Sequence, residues 1–150
     1  MALKARIKDE MKAALLSGDR FVGETLRNLT AAILNEEVKL GKRDEGLSDE
    51  EIEKVVAREV KKRNESAKIY RDNNRPDLAE PEEREIEILQ AYLPKQLDET
   101  ELAAIIEAKI AELSVTGPKA MGQVIGAVKK QVGNAADGAA IARIVKQKLD

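Results

Sequence analysis

The sequence predicts an all-α protein, with an N-terminal bundle of about four helices followed by a small three-helix tail. Three observations carry this. Apolar residues recur at three- and four-residue spacing in each long segment, and no segment alternates apolar and polar residues between turns as a half-buried strand would. Hydrophobic residues make up 43% of the chain and charged residues 36%, the balance expected of helices that bury one stripe and solvate the rest. Finally, the stretch from Ile86 to Asp98 stops one helix at Pro94, which has no N–H to donate, and starts another at Asp98, whose carboxylate can cap it. This elbow predicts a boundary between residues 1–94 and 95–150.

Taken in order, residues 2–17 place Leu3, Ile7, Met11, Ala14 and Leu15 on one helical face, and Ser17-Gly18 supplies the stop. Asp19 is placed to cap a second helix whose Val22, Leu26, Leu29, Ile33 and Leu40 form nearly a heptad seam, with Gly41 at its end. A short turn between two such stripes favours an antiparallel pair. After a polar, glycine-bounded loop over 41–47, Ser48 and Glu51 form a capping box. The helix they start runs to about Asn73, with Ile52, Val55, Val56, Val60, Ala67 and Tyr70 inward. Asn73 to Asp77 reads as a turn, and Pro81 as a first-turn residue of the fourth helix, where a missing N–H is harmless.

Beyond Asp98, which has Glu101 three residues on as its capping-box partner, the tail's first helix carries Leu102, Ile105, Ile106, Ile110 and Leu113. A second, from about Pro118 to Lys130, carries Met121, Val124, Ile125 and Val128. The third runs from about Gly138 to Leu149 with Asp137 as its cap.

Several function classes are excluded by what the chain lacks. With no cysteine and no histidine, it has no thiol chemistry, no Cys/His zinc site and no imidazole-based triad. Aromatic residues are only Phe21, Tyr70 and Tyr92, too few for a base-stacking platform. The first twelve residues mix acids with bases, unlike a signal peptide, and no apolar run approaches membrane-spanning length. These features lead to the expectation of a cytoplasmic protein with no membrane partner.

The acids at Asp49-Glu50-Glu51 and at Glu82, Glu83, Glu85 and Glu87 suit helix first turns and solvated faces rather than a desolvated catalytic pair. No serine sits in a nucleophile elbow, and Gly41-Lys42 lacks the rest of a phosphate loop. Neither a catalytic residue nor a cofactor is expected.

Net charge is −2, so any attraction for nucleic acid must be local. One candidate is a stripe on the third helix comprising Lys61, Lys68, Arg71 and Arg75, in line with Lys54 and Arg58. Its competing reading is a solvated face tied by Lys61–Glu65 and Lys68–Asp72 ion pairs. The other is the tail, where Lys119, Lys129, Lys130, Arg143 and Lys146, with Lys148, set six bases against two acids over residues 118–150. Gly122 and Gly126 share one face of the second tail helix. Glycine inside a helix costs about 1 kcal/mol relative to alanine, so the pair points to a close approach by a neighbouring backbone, either within a tightly packed tail or from RNA or another helix.

Lys62-Arg63-Asn64-Glu65-Ser66, then Arg75-Pro76-Asp77-Leu78-Ala79, and the run from Glu85 to Leu97 containing Tyr92-Leu93-Pro94 resemble the YqeY proteins. Met121 to Gly126, Ala136-Asp137-Gly138, and Arg27 followed by Ala31 to Glu37 extend the likeness over nearly the whole chain. YqeY proteins are relatives of the helical and tail domains of GatB, the tRNA-holding subunit of the glutamine-dependent aspartyl/glutamyl-tRNA amidotransferase. The resemblance implies a tRNA-binding or amidotransferase-associated module, linked to a carbon–nitrogen ligase family but without its own catalytic site. Its implied partners are tRNA, the amidotransferase or other translation proteins. The alternative is a helical protein–protein adaptor with no nucleic-acid role. One departure stands out: the family loop before the last helix carries a base, whereas this chain has Gly133-Asn134-Ala135-Ala136-Asp137-Gly138, which implies one phosphate contact fewer.

Overall fold

The computed structural model describes residues 2–150. They form seven α-helices with no strand among the described residues: α1 (Ala2–Ser17), α2 (Arg20–Lys39), α3 (Asp49–Asp72), α4 (Pro76–Gln90), α5 (Glu99–Leu113), α6 (Met121–Val132) and α7 (Gly138–Leu149). Short 3-10 turns, Pro118–Ala120 and Gly133–Ala135, flank α6. The chain divides into two compact units, the first ending at Leu93 and the second beginning at Pro94.

In the first unit α1 lies along α2 and α3 along α4. Ile7, Leu26, Leu29, Ile33, Ile52, Val56 and Leu89 meet in an aliphatic core, and Leu47 pins the α2–α3 loop to it. Each such buried side chain stabilises the fold by about 1.5–3 kcal/mol. The inner seam of α2 runs Val22, Leu26, Leu29, Ile33 and then Glu37, not Leu40, which stands exposed at the C-cap. Glu37 is 1% exposed and is held by Lys4 Nζ at 2.7 and 3.0 Å from its two oxygens. Such a buried charge persists only because it is paired.

Where α1 meets α2 the close approach falls at Gly23. A Cβ there would lie 2.5 Å from Leu15 Cδ2, so the missing side chain of Gly23 is what lets Leu15 lie across α2. α4 begins at Pro76, earlier than the sequence suggests, because Pro76 already supplies a pre-organised first turn. Pro81 consequently sits inside the helix rather than in its first turn, where it removes one backbone hydrogen bond. At the far end Tyr92 is buried. Its hydroxyl donates to Glu10, and Arg6 both pairs with Glu10 at 3.1 Å and lies 4.8 Å from the Tyr92 ring centre. Burial, with the Glu10 hydrogen bond behind it, pushes the Tyr92 phenol up.

The Ser48–Glu51 capping box forms, and Lys42 Nζ adds an ion pair to Glu51 at 2.8 Å. Lys42 and the Ser48 backbone N–H together bring the Glu51 carboxyl down from 4.5 to about 2. A carboxyl with a depressed folded-state pKa stabilises the fold fully above its unfolded value and loses that contribution as pH falls through the folded one. The Glu51 side-chain carbon resonance is therefore expected to titrate near pH 2, and in a Lys42→Met variant to move back toward 4.5.

The second unit packs α5, α6 and α7 around Leu102, Ile106, Val124, Val128, Ile141, Ile144 and Val145. Asp98 and Glu101 form the second capping box. The Leu97 N–H donates to the Ala135 carbonyl and Gln96 Nε2 to the Asn134 carbonyl, each at 2.9 Å. The loop before α7 thus anchors the start of its own unit through its backbone. Asp137 occupies the N-cap position of α7 but makes no side-chain cap, contrary to the role its sequence position suggests.

Candidate nucleic-acid interface

α6 ends in Lys129-Lys130, and its exposed side carries Gly122, Gln123 and Gly126. Residues 122, 126, 129 and 130 recur at helical spacing, so the two glycines and the two lysines form one outward stripe. A Cβ built at Gly122 or Gly126 meets nothing within 4 Å. This corrects one reading of these glycines: they do not serve tight packing inside the tail, because that face of α6 has no neighbour within its own unit. Gly126→Ala is expected to stabilise the tail by about 0.5–1 kcal/mol, from helix propensity alone, and Gly122→Ala by less, since it lies in the first turn. Urea unfolding followed on tail amide resonances measures both.

Lys119 sits in the 3-10 turn before α6, while Arg143 and Lys146 lie one turn apart on the exposed side of α7. Lys119, Lys129, Lys130 and Lys146 have no carboxylate partner among the described residues, whereas Arg143 Nη1 meets Glu99 Oε1 at 2.6 Å and Lys148 pairs with Glu107. The lysines do not form one knot. Met121 to Lys129 spans about 12 Å of α6 at 1.5 Å per residue, and Lys119 lies before that start. A row of that length suits a polymeric anion better than a single small one. Lys129 also lies over the start of α7: a Cβ at Gly138 would be 3.3 Å from Lys129 Cε and 3.4 Å from its Nζ. Two sources of positive potential thus coincide, an ammonium and an N-terminus without a side-chain cap.

The stripe on α3 is different. Arg71 is taken by Glu83 at 2.8 and 3.2 Å and Arg75 by Asp77, while Arg58 reaches Glu36 and the half-buried Arg63 is held by Glu59 and Glu85. The Lys61–Glu65 and Lys68–Asp72 pairs anticipated along the helix do not form, and Lys61 and Lys68 stand without a carboxylate partner among the described residues. Acids of α4 lie alongside α3 and take Arg71 and, together with Glu59, Arg63, while Arg75, just before α4, is held by Asp77. Only half of the stripe remains available to a ligand.

The outer side of α5 bears an open groove of about 400 Å³ lined by Glu99, Thr100, Ala103, Ala104 and Glu107. Small-molecule sites need convergent polar groups in an enclosed cleft, and both carboxylates here are already engaged by α7. Among the described residues no group of acids could hold a metal ion, and no helix is long and apolar enough to cross a membrane.

A family model described as Yqey-like protein matches residues 4–149. The chain is 34% identical over 143 residues to the "Altered inheritance of mitochondria protein 41, mitochondrial" of Eremothecium gossypii, covering 90% of this chain and 76% of that protein. It is 30% identical over 116 residues to the protein of the same name from Lachancea thermotolerans, covering 76% and 61%. A third, from Clavispora lusitaniae, is 34% identical over 101 residues, covering 65% and 57%. The matched regions thus leave about a quarter of the first relative and about two fifths of the other two uncovered. The relatives are named as mitochondrial proteins, which overturns the expectation of a simply cytoplasmic location. Absent cysteine, the mixed charge of the first twelve residues and the lack of a membrane-spanning run were its support, and none of them separates one compartment from another.

Proposed function

The chain belongs to the Yqey-like protein family, and on that premise we propose that its tail unit binds the phosphate backbone of folded RNA, with tRNA as the substrate class. The observation that carries the reading is the α6 stripe, in which two exposed glycines leave the helix backbone approachable and two unpaired lysines continue the same face. Lys119, Arg143 and Lys146 extend it, and the uncapped start of α7 beneath Lys129 gives a phosphate oxygen N–H donors beside an ammonium. Recognition works through shape and backbone charge, since three aromatic residues in the whole chain offer no stacking platform. The likeness to the GatB tail supports tRNA over other folded RNAs and associates the protein with amidotransferase assemblies, as a binding module and not as their chemistry.

The experiment is a titration of a purified tRNA transcript at several salt concentrations. With three to five phosphate contacts, log K should fall against log salt with a slope of about −2 to −4. Lys129→Glu with Lys130→Glu should weaken binding at least tenfold at low salt and flatten the slope by about 1.5. Binding that ignores salt, or the same loss from Lys61→Glu with Lys68→Glu, contradicts the placement on the tail. A second reading, a helical protein adaptor, is favoured by α2, where Leu34 and Val38 stand exposed one turn apart. It expects no RNA binding and a salt-insensitive protein partner.

A further inference from the structure

We propose that Glu99 and Glu107 are built-in competitors of the RNA, occupying Arg143 and Lys148 until a ligand of sufficient charge density displaces them; the inference rests on the RNA reading above. The tail has two kinds of cation. Lys119, Lys129, Lys130 and Lys146 stand without a carboxylate partner among the described residues, whereas the other two bases of this region are both held by α5: Arg143 by Glu99 at 2.6 Å and Lys148 by Glu107. The earlier carboxylate takes the earlier cation and the later takes the later, so α5 and α7 run in the same direction with an acidic row beside a basic one.

Exposure decides what these pairs can do. Arg143 and Glu99 are 52% and 66% exposed, and Lys148 and Glu107 are 37% and 58%. Exposed pairs are weak in water and screened by salt, so a phosphate can replace the carboxylate. Arg63 shows the contrast: 13% exposed between Glu59 and Glu85, it is a fixed structural cation. Arg143 lies one turn before the unpaired Lys146 on the outer side of α7, placed to join the lysines once Glu99 lets go. The carboxylates therefore set a threshold. A sparse anion meets four lysines, and a dense polyanion recruits the remaining two cations as well.

The test compares tRNA-transcript affinity at about 0.1 M salt for the wild type, for Glu99→Gln with Glu107→Gln, and for Glu112→Gln with Asp150→Asn, a control with the same change in net charge. Circular dichroism checks the helix content of each. The first double variant is expected to bind about three- to tenfold more tightly and the control less than twofold. Arg143→Ala should cost more affinity in the Glu99→Gln background than in the wild type, a coupling that a merely structural pair would not show. Wild-type binding with both double variants alike overturns the inference and leaves the RNA reading standing. No binding by wild type or variants overturns the RNA reading and the inference with it.

Discussion

Lys4→Met is expected to lower the stability of the N-terminal unit by about 3 kcal/mol, far more than most half-exposed lysines would cost. The loss comes less from the ion pair than from what remains. Glu37 sits at an inner position of the α2 seam, 1% exposed, and Lys4 supplies its charge partner at 2.7 Å. Without Lys4 the carboxylate is left in an apolar setting without its partner, or drags α2 away from its neighbours. Lys4→Met combined with Glu37→Leu removes the problem along with the pair, and should return to within about 1 kcal/mol of the wild type. Urea unfolding of the single variants and the double variant measures the coupling directly. If Lys4→Met alone is near neutral, Glu37 is not confined as described.

Ile106→Ala is expected to unfold the tail and leave α1–α4 folded. Ile106 is fully buried at the centre of α5. Truncating such a side chain costs about 2–5 kcal/mol, and a unit this short has little stability to lose. Two-dimensional amide spectra should show α5–α7 resonances collapsing to random-coil positions while those of the first unit hold. Each side of the division has its own core, from Ile7 through Tyr92 on one hand and from Leu102 through Leu149 on the other. A single cooperative loss of both sets of resonances contradicts that independence.

Local chemistry was legible in the sequence and long-range pairing was not. Both capping boxes, Ser48–Glu51 and Asp98–Glu101, are three-residue patterns whose geometry follows from the helix itself, and both form. The apolar stripes of α3 and α5 likewise face inward as their periodicity requires. Glu37 was missed because its partner lies 33 residues away on another helix, although its place four residues after Ile33 continues the buried seam and was a usable signal. Gly23 was missed for a related reason. A helical glycine is informative only when one knows what crosses it, and here it is Leu15 of α1, while Gly122 and Gly126 look out on open space. Arg71 of α3 pairs with Glu83 of α4, Arg58 with Glu36 of α2, and Arg63 with both Glu59 of its own helix and Glu85 of α4, choices that depend on which helices become neighbours. As for the candidate site, the lysines could be named from charge alone. Which of them are unpaired, and which are held by α5, emerged only from the packing of three helices.

If the bare face of α6 receives RNA, a side chain added there must weaken binding, and the affinity of Gly126→Leu for a tRNA transcript measures this. Leucine is a good helix former at an exposed position, so the tail should be at least as stable as in the wild type. Its side chain nevertheless projects from the face that the two glycines leave open. Binding at least tenfold weaker is expected from a protein whose tail is no less stable. Unchanged affinity alongside undiminished stability would show that RNA does not approach α6 through its glycine face.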